Sequence, residues 1–300
     1  MLICPDCHGQ LQALGDCSRC GWRNELIGGV PNLLSTTDRS SSTFNAYLAN
    51  YARIAEDDLE SSIQPLEHLE AQARSLFSYL GPVKGLRVCE VGVGQGMLFE
   101  RLLAAEADAV TGIDISMAYL HRYASTGRVL LANAENLPYR EEFDLLVMSE
   151  ILEHVLNLGD VLISTHRSLV VGGRVAVRVP YKEDLRQYAR QWNCRYQFVH
   201  LRTFTRDSLL SLMGQAGFEL RSLVYDGCYD FRMRPWARRL TPFLRPYLGH
   251  VYAGELPAKA IHSLTARLLF EPVTLTAIFE KIHRSRRSKG KKLVRNVPNP

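Results

Sequence analysis

Two sets of residues have the types and spacing to do chemistry. The first is Cys4-Pro5-Asp6-Cys7 with Cys17-Ser18-Arg19-Cys20. A C-x2-C pair brings two thiolates to one ion while the backbone turns back, and two pairs close a tetrahedral zinc site. His8-Gly9 and Gly21-Trp22 follow the pairs, where the tight turn calls for the backbone freedom of glycine. With Cys4, Cys7, Cys17 and Cys20 as ligands every position is filled, so the site is structural and His8 is a neighbour. A module of about 35 residues is too small for a sufficient core, and a metal supplies its folding energy.

The second set is Glu150-Ile151-Leu152-Glu153-His154, with His200 following later in the chain. Residues at i, i+3 and i+4 share one helical face, so the spacing predicts two carboxylates and an imidazole side by side. Glu150, Glu153, His154 and His200 together make an octahedral donor set for Mg²⁺ or Mn²⁺, with places left for water and substrate oxygens. Without a metal, the same His154, His200 and Glu153 are the candidates for direct acceptor-side acid–base work.

These groups need elements to hold them. Leu66 to Leu80 has helical apolar spacing and stops at Gly81-Pro82. Leu86 to Val91 is a short apolar run ending in Gly92-Val93-Gly94-Gln95-Gly96, a turn that lets backbone amides approach a ligand. Further strands are predicted over 109–114, 129–131, 143–149 and 173–179. Alternation of strands with helices implies a parallel sheet with its ligand at the carboxyl ends of the strands. Strands over 218–225 and 273–282 should close it with an antiparallel hairpin, interrupted by an insert at 230–270. That insert interleaves Arg232, Arg234, Arg238, Arg239 and Arg245 with Trp236, Phe243 and Tyr247, a mix suited to an acceptor lid, a phosphate-bearing substrate or a membrane surface.

The run Glu90-Val91-Gly92-Val93-Gly94-Gln95-Gly96 resembles the first motif of class I S-adenosylmethionine (SAM) methyltransferases. Asp114, closing the second strand, matches the family's ribose-binding acid, and Asn133-Ala134-Glu135-Asn136-Leu137-Pro138 resembles its adenine-bordering Asp-Ala-Glu-x-Leu-Pro segment with Asn133 in place of the acid. The resemblance implies a Rossmann-like seven-stranded α/β sheet binding SAM through Glu90, Gly92, Gly94, Gly96, Asp114, Ile115, Asn133, Ala134, Glu135 and Ser149. The Glu-x-x-Glu-His element resembles that of ubiquinone-biosynthesis O-methyltransferases, which methylate catechol hydroxyls, and of small-RNA 2′-O-methyltransferases, which add a later His. The cysteine module resembles zinc ribbons that precede some bacterial methyltransferase domains and the small zinc-ribbon activators of tRNA methyltransferases.

The expected organisation is a zinc-ribbon module (1–36), a Ser/Thr-rich linker with N-terminal helices (37–82), a catalytic domain (83–283) and a basic tail (284–300). That tail carries seven basic residues and no acidic one, so the other 283 residues stand at −2 against a total of +5. A slightly acidic body favours a hydroxylated small molecule, glycan or lipid-linked acceptor over RNA, which wants a basic groove. The intact glycines and Asp114 speak against a non-catalytic SAM-binding module. With 46% hydrophobic and 22% charged residues the composition excludes a wholly disordered chain. Met1 to Gly15 shows no secretory pattern, and a cytoplasmic location is expected. Cys89, Cys194 and Cys228 stand alone and read as buried thiols.

Overall fold

A computed structural model describes residues 1–188, 195–226 and 271–282, together with 234, 236–240, 243 and 268. Most of the 230–270 insert (including Arg232, Arg245 and Tyr247), the 284–300 tail, Cys194 and Cys228 lie outside the described residues.

The centre of the protein is a mixed sheet. Its strands are β1 (Glu25–Ile27), β2 (Val30–Asn32), β3 (Arg87–Val91), β4 (Ala109–Asp114), β5 (Val129–Leu131), β6 (Phe143–Ser149), β7 (Leu169–Pro180), β8 (Phe218–Asp226) and β9 (Thr274–Lys281), in the order β1-β2-β5-β4-β3-β6-β7-β9-β8. The five from β3 to β7 run parallel, and β9 is antiparallel to both β7 and β8. The expected seven-stranded α/β sheet with its closing hairpin is therefore present. The ribbon adds two strands to its edge, because Asn32 of β2 pairs in parallel with Leu131 of β5.

Both faces of the inner strands are covered, so they read as continuous apolar runs. On one face Leu146, Met148, Val175 and Val177 pack with Val161 and Leu162 of α6 (Leu158–Ser168) and with Leu209 and Met213 of α7 (Arg206–Gln215). The opposite face sets Val88, Leu145 and Val147 against α3 (Leu66–Leu80) and α4 (Met97–Ala104). Cys4, Leu11, Cys17 and Trp22 of the ribbon join the first of these cores.

The Ser/Thr-rich segment expected to be a linker is helical. Ser35 opens α1 (Thr36–Ser40) through a reciprocal capping box with Asp38. Ser41 caps α2 (Ser42–Glu60), accepting from the Phe44 N–H. Serines here satisfy orphan N–H groups at two helix starts instead of loosening the chain. Among the described residues no helix is long and apolar enough to cross a membrane.

Candidate active site

The glycine loop joins the carboxyl end of β3 to α4. Gly92, Gly94 and Gly96 all have positive φ, at 86°, 52° and 84°. A Cβ on Gly96 would lie 1.8 Å from Tyr123 Oη, whereas one on Gly94 would meet nothing within 4 Å. The loop is thus packed from behind at Gly96 and open at Gly94. Asp114, at the end of β4, accepts the Gly94 N–H at 3.0 Å through Oδ2 and the Ser116 N–H at 2.8 Å through Oδ1. Its burial raises the carboxyl pKa, and these N–H donors oppose the rise. The N–H groups of Ile115 and Val93 also act on this carboxylate and lower its pKa.

Glu90 is buried two residues before the loop, with its pKa held well above the usual range by burial and then by Asp114. Its Oε2 has no hydrogen-bond partner among the described residues. A buried carboxyl oxygen without a partner is costly, and it fits a loop built to receive the polar, cationic end of SAM. Ile115 and Ser149 are half-buried at the ends of β4 and β6.

At the end of β5, Asn133 opens a three-residue 3-10 turn, Ala134–Asn136. The Asn133 oxygen already accepts the Glu135 N–H at 2.9 Å, and its amide donates to Asp38 Oδ1 at 3.1 Å. Glu135 faces elsewhere. Its carboxylate accepts the N–H groups of Leu156 (2.8 Å) and Asn157 (3.0 Å) and the Asn157 side-chain amide (2.7 Å). It ties the turn to the chain after β6, a positioning task that the SAM-contact expectation missed.

That chain, 150–154, is not the expected helix. Glu150 takes φ 56° as its N–H donates to the Arg178 carbonyl at 2.9 Å, and a tight turn follows in which His154 N–H meets the Ile151 carbonyl at 3.0 Å. The turn nevertheless brings Glu153, His154 and His200 together, their ligand atoms all within 4.8 Å of one another. Glu150 is outside this group; its carboxylate pairs with buried Arg178 at 3.4 Å. The predicted four-ligand set therefore reduces to three, with Glu150 as a flanking charge. Ile151 fixes the turn against the glycine loop, filling the space that a Cβ on Gly92 would occupy.

His154 Nδ1 is hydrogen-bonded to the Val199 carbonyl, and His200 Nδ1 to Glu183. Both assignments leave Nε2 as the nitrogen without a hydrogen bond, and that of His154 lies 3.7 Å from Glu153 Oε1. The rings meet edge to face with centroids 4.6 Å apart. Burial, reinforced by His200, pushes the His154 pKa down to about 3, so the ring is neutral at physiological pH. Glu153 is wholly buried; burial first and Glu150 second raise its pKa well above normal. Neither of its oxygens has a hydrogen-bond partner among the described residues. Sequence spacing could not reveal the partners Val199 and Glu183. It also missed Arg202, which donates to the Leu152 and Leu156 carbonyls at 2.7 and 3.2 Å and clamps the two segments together. From α2, Asn50 exchanges two hydrogen bonds with Gln197 (2.5 and 3.0 Å), and Tyr51 Oη donates to the Phe198 carbonyl at 2.9 Å.

A metal-bound histidine commonly donates its other ring N–H to a carbonyl or carboxylate. His154 and His200 each do so. With the unpartnered Glu153 carboxylate they fit a divalent cation, and the two-imidazole, one-carboxylate set suits Mn²⁺ better than oxygen-seeking Mg²⁺.

The cysteines also converge. Cys4 and Cys20 sulfurs lie 3.6 Å apart, as do those of Cys7 and Cys17. Zinc–sulfur bonds of about 2.3 Å place tetrahedral sulfurs about 3.8 Å apart, so the four fit one zinc ion. In the second knuckle Gly21 takes the left-handed φ of 78°, while in the first His8, not Gly9, does so at 55°. His8 Nε2 lies 3.0 Å from Asn136 Oδ1 and is not among the clustered ligands.

Comparison with known proteins agrees with this geometry. Residues 66–223 match the methyltransferase domain family. The ubiquinone biosynthesis O-methyltransferase of Pseudomonas aeruginosa (strain LESB58) is 30% identical over 233 residues, covering 71% of this chain and 89% of that protein. Its counterpart in Paracidovorax citrulli (strain AAC00-1) is 32% identical over 158 residues, 45% of this chain, and the match spans 63% of that relative's length. Among solved structures, a complex of the Haloferax volcanii Trm112 methyltransferase activator and a methyltransferase aligns with TM-score 0.53 at 14% identity, covering 79% of this chain and 98% of that one. A SAM-dependent methyltransferase from Archaeoglobus fulgidus aligns with TM-score 0.50 at 18% identity, covering 77% and 100%.

Proposed function

The chain belongs to the class I SAM-dependent methyltransferases, and we propose that it methylates a hydroxyl of a small molecule whose neighbouring atom also carries oxygen, as in a catechol. A glycan or lipid-linked intermediate with adjacent hydroxyls presents the same chemistry. One observation carries the reading: a buried Glu153 carboxyl without a hydrogen bond among the described residues, 3.7 Å from His154 Nε2 and beside His200, packed through Ile151 against the glycine loop.

SAM supplies the methyl group. Glu90, Gly92, Gly94, Gly96 and Asp114 would hold it, with Asn133 and Ala134 at the adenine, Ile115 along the ribose and Ser149 near the reacting end. Glu153, His154 and His200 would hold a divalent cation, which lowers the pKa of an acceptor hydroxyl and fixes its position. His154, kept neutral by burial, has an unprotonated ring nitrogen to offer a cation. Glu183 orients His200, and Val199 orients His154. Such positioning supplies much of the rate in a methyl transfer. The four cysteines are read as a structural zinc centre.

The test is to incubate the protein with methyl-labelled SAM and separate polar-metabolite, lipid and RNA fractions. Label in a hydroxylated small molecule or lipid supports the reading. Label confined to RNA would overturn it in favour of the RNA methyltransferase alternative.

A further inference from the structure

The ribbon is built into one wall of the cofactor site. The turn that carries Ala134 is three residues long and follows a three-residue strand, so it has little structure of its own to hold it. Its middle is fastened from within the fold, where Ser164 Oγ donates to the Ala134 carbonyl at 2.6 Å and Glu135 caps the chain at 156–157. Both of its ends are fastened by the ribbon.

At the far end, the Asn136 amide donates to the Pro5 carbonyl at 2.7 Å, and the Ile3 N–H donates to the Pro138 carbonyl at 2.9 Å. At the near end, the Asn133 amide donates to Asp38, which sits in the capping box of α1. The start of α1 is itself pinned to the ribbon: Thr36 donates from N to Asp6 Oδ1 at 2.7 Å and from Oγ1 to Asp6 Oδ2 at 2.6 Å. Pro5 and Asp6 are the two residues between Cys4 and Cys7. Trp22, next to the second knuckle, adds a buried hydrogen bond to the Leu34 carbonyl at 3.1 Å. The first knuckle therefore bears on both ends of the turn, while Ser164 holds its middle and Arg167 donates to Asn136 Oδ1 at 3.2 Å and to the Leu137 carbonyl at 2.7 Å.

We propose that the metal state of the Cys4–Cys7–Cys17–Cys20 site sets the affinity of the cofactor site, the Pro5–Asp6 knuckle acting as a brace for the Asn133–Asn136 turn. This rests on the reading of the cysteines as a zinc centre and of Asn133 and Ala134 as the adenine wall. A small metal module is ordered by its ion, so removing zinc frees the brace and leaves the turn held only from within the fold, by Ser164, Glu135 and Arg167. Because coupling between two bound species is reciprocal, SAM tightens zinc binding by the factor that zinc tightens SAM binding.

The experiment uses the full chain. SAM affinity is measured by calorimetry before zinc removal, after stripping with a high-affinity zinc chelator, and after one equivalent of Zn²⁺ is returned. Metal content is checked by elemental analysis and the larger fold by its melting transition. Stripping is expected to weaken SAM binding at least tenfold, with recovery on zinc addition. Saturating SAM should raise the chelator concentration needed to remove zinc by the same factor. A second protein, Asn136→Ala, keeps all four ligands and loses the side-chain bonds from Asn136 to the Pro5 carbonyl and His8 on the ribbon, together with one from Arg167. It should hold one zinc per chain yet bind SAM at least about threefold more weakly, the loss expected from a single hydrogen bond. SAM binding within twofold for stripped and loaded protein overturns the proposal and leaves the cofactor reading intact. If stripping unfolds the chain, Asn136→Ala decides, and unchanged SAM affinity there overturns it. Zinc-loaded wild type that binds no SAM overturns the cofactor reading and the proposal with it.

Discussion

Replacing Asp114 by Ala tests the cofactor site where its geometry is most explicit. The substitution deletes two acceptors at once and leaves the Gly94 and Ser116 N–H groups, now at 3.0 and 2.8 Å from their acceptor oxygens, without partners. A hydrogen bond to a charged group contributes about 1.5–3 kcal/mol. Burial raises the Asp114 pKa and so offsets part of this gain, which selects the low end: about 3 kcal/mol for the pair. At about 2–4 °C per kcal/mol for a domain of this size, the ligand-free melting temperature should fall by roughly 6–12 °C. SAM affinity should fall further than stability alone requires, by at least tenfold (about 1.4 kcal/mol), because the ribose loses its acceptor while the glycine loop loses its anchor. Asp114→Asn keeps the shape but turns one acceptor into a donor, so it should not restore SAM binding. Calorimetry and thermal melts check both effects. A variant that melts with the wild type and binds SAM within twofold refutes the reasoning.

Gly96→Ala places a Cβ 1.8 Å from Tyr123 Oη at a φ of 84°. SAM binding by calorimetry should drop at least tenfold, since a left-handed L-residue alone costs about 1–2 kcal/mol and Tyr123 must also give up the 2.7 Å hydrogen bond its Oη donates to Glu100. Glu153→Gln keeps volume but removes a buried carboxylate, so turnover should fall about a hundredfold or more, while the melting temperature holds or rises. In chelated protein the depressed His154 pKa makes stability fall as pH drops below 6.5, where the unfolded chain binds a proton that the folded chain refuses until about pH 3. From pH 7 to 5 the loss is about 1–2 kcal/mol, discounted for the partly exposed ring, and denaturant melts of His154→Gln should lack that slope.

The sheet was legible where apolar runs end in glycine or acid. Ala109–Asp114, Val129–Leu131 and Phe143–Ser149 fall where the pattern places them, and Leu66–Leu80 ends at Gly81 as its terminator requires. Residue types in the candidate site were legible too, but their geometry was not. The Glu150–His154 spacing reads as a helix only if Glu150 is helical, and its bond to the Arg178 carbonyl forces a left-handed turn. Serines at 35 and 41 look like a linker because capping residues and loop residues are the same types. The seating of the ribbon on the sheet depends on pairing Asn32 with Leu131, a contact between chain-distant residues that local patterns do not encode. Glu183 and Val199 carry no spacing signal, yet they decide which histidine nitrogens are left without a hydrogen bond.

The most direct test of the account is methyl transfer from SAM to a catechol, assayed after chelation mild enough to leave one zinc per chain by elemental analysis, and again after adding back Mn²⁺ or Mg²⁺. The account predicts that chelation abolishes turnover and leaves zinc-loaded SAM affinity unchanged. Mn²⁺ should restore the rate more effectively than Mg²⁺, and Glu153→Gln should block that restoration. Full turnover by the chelated enzyme, lost only in His154→Ala, would contradict the cation site and make His154 a general base.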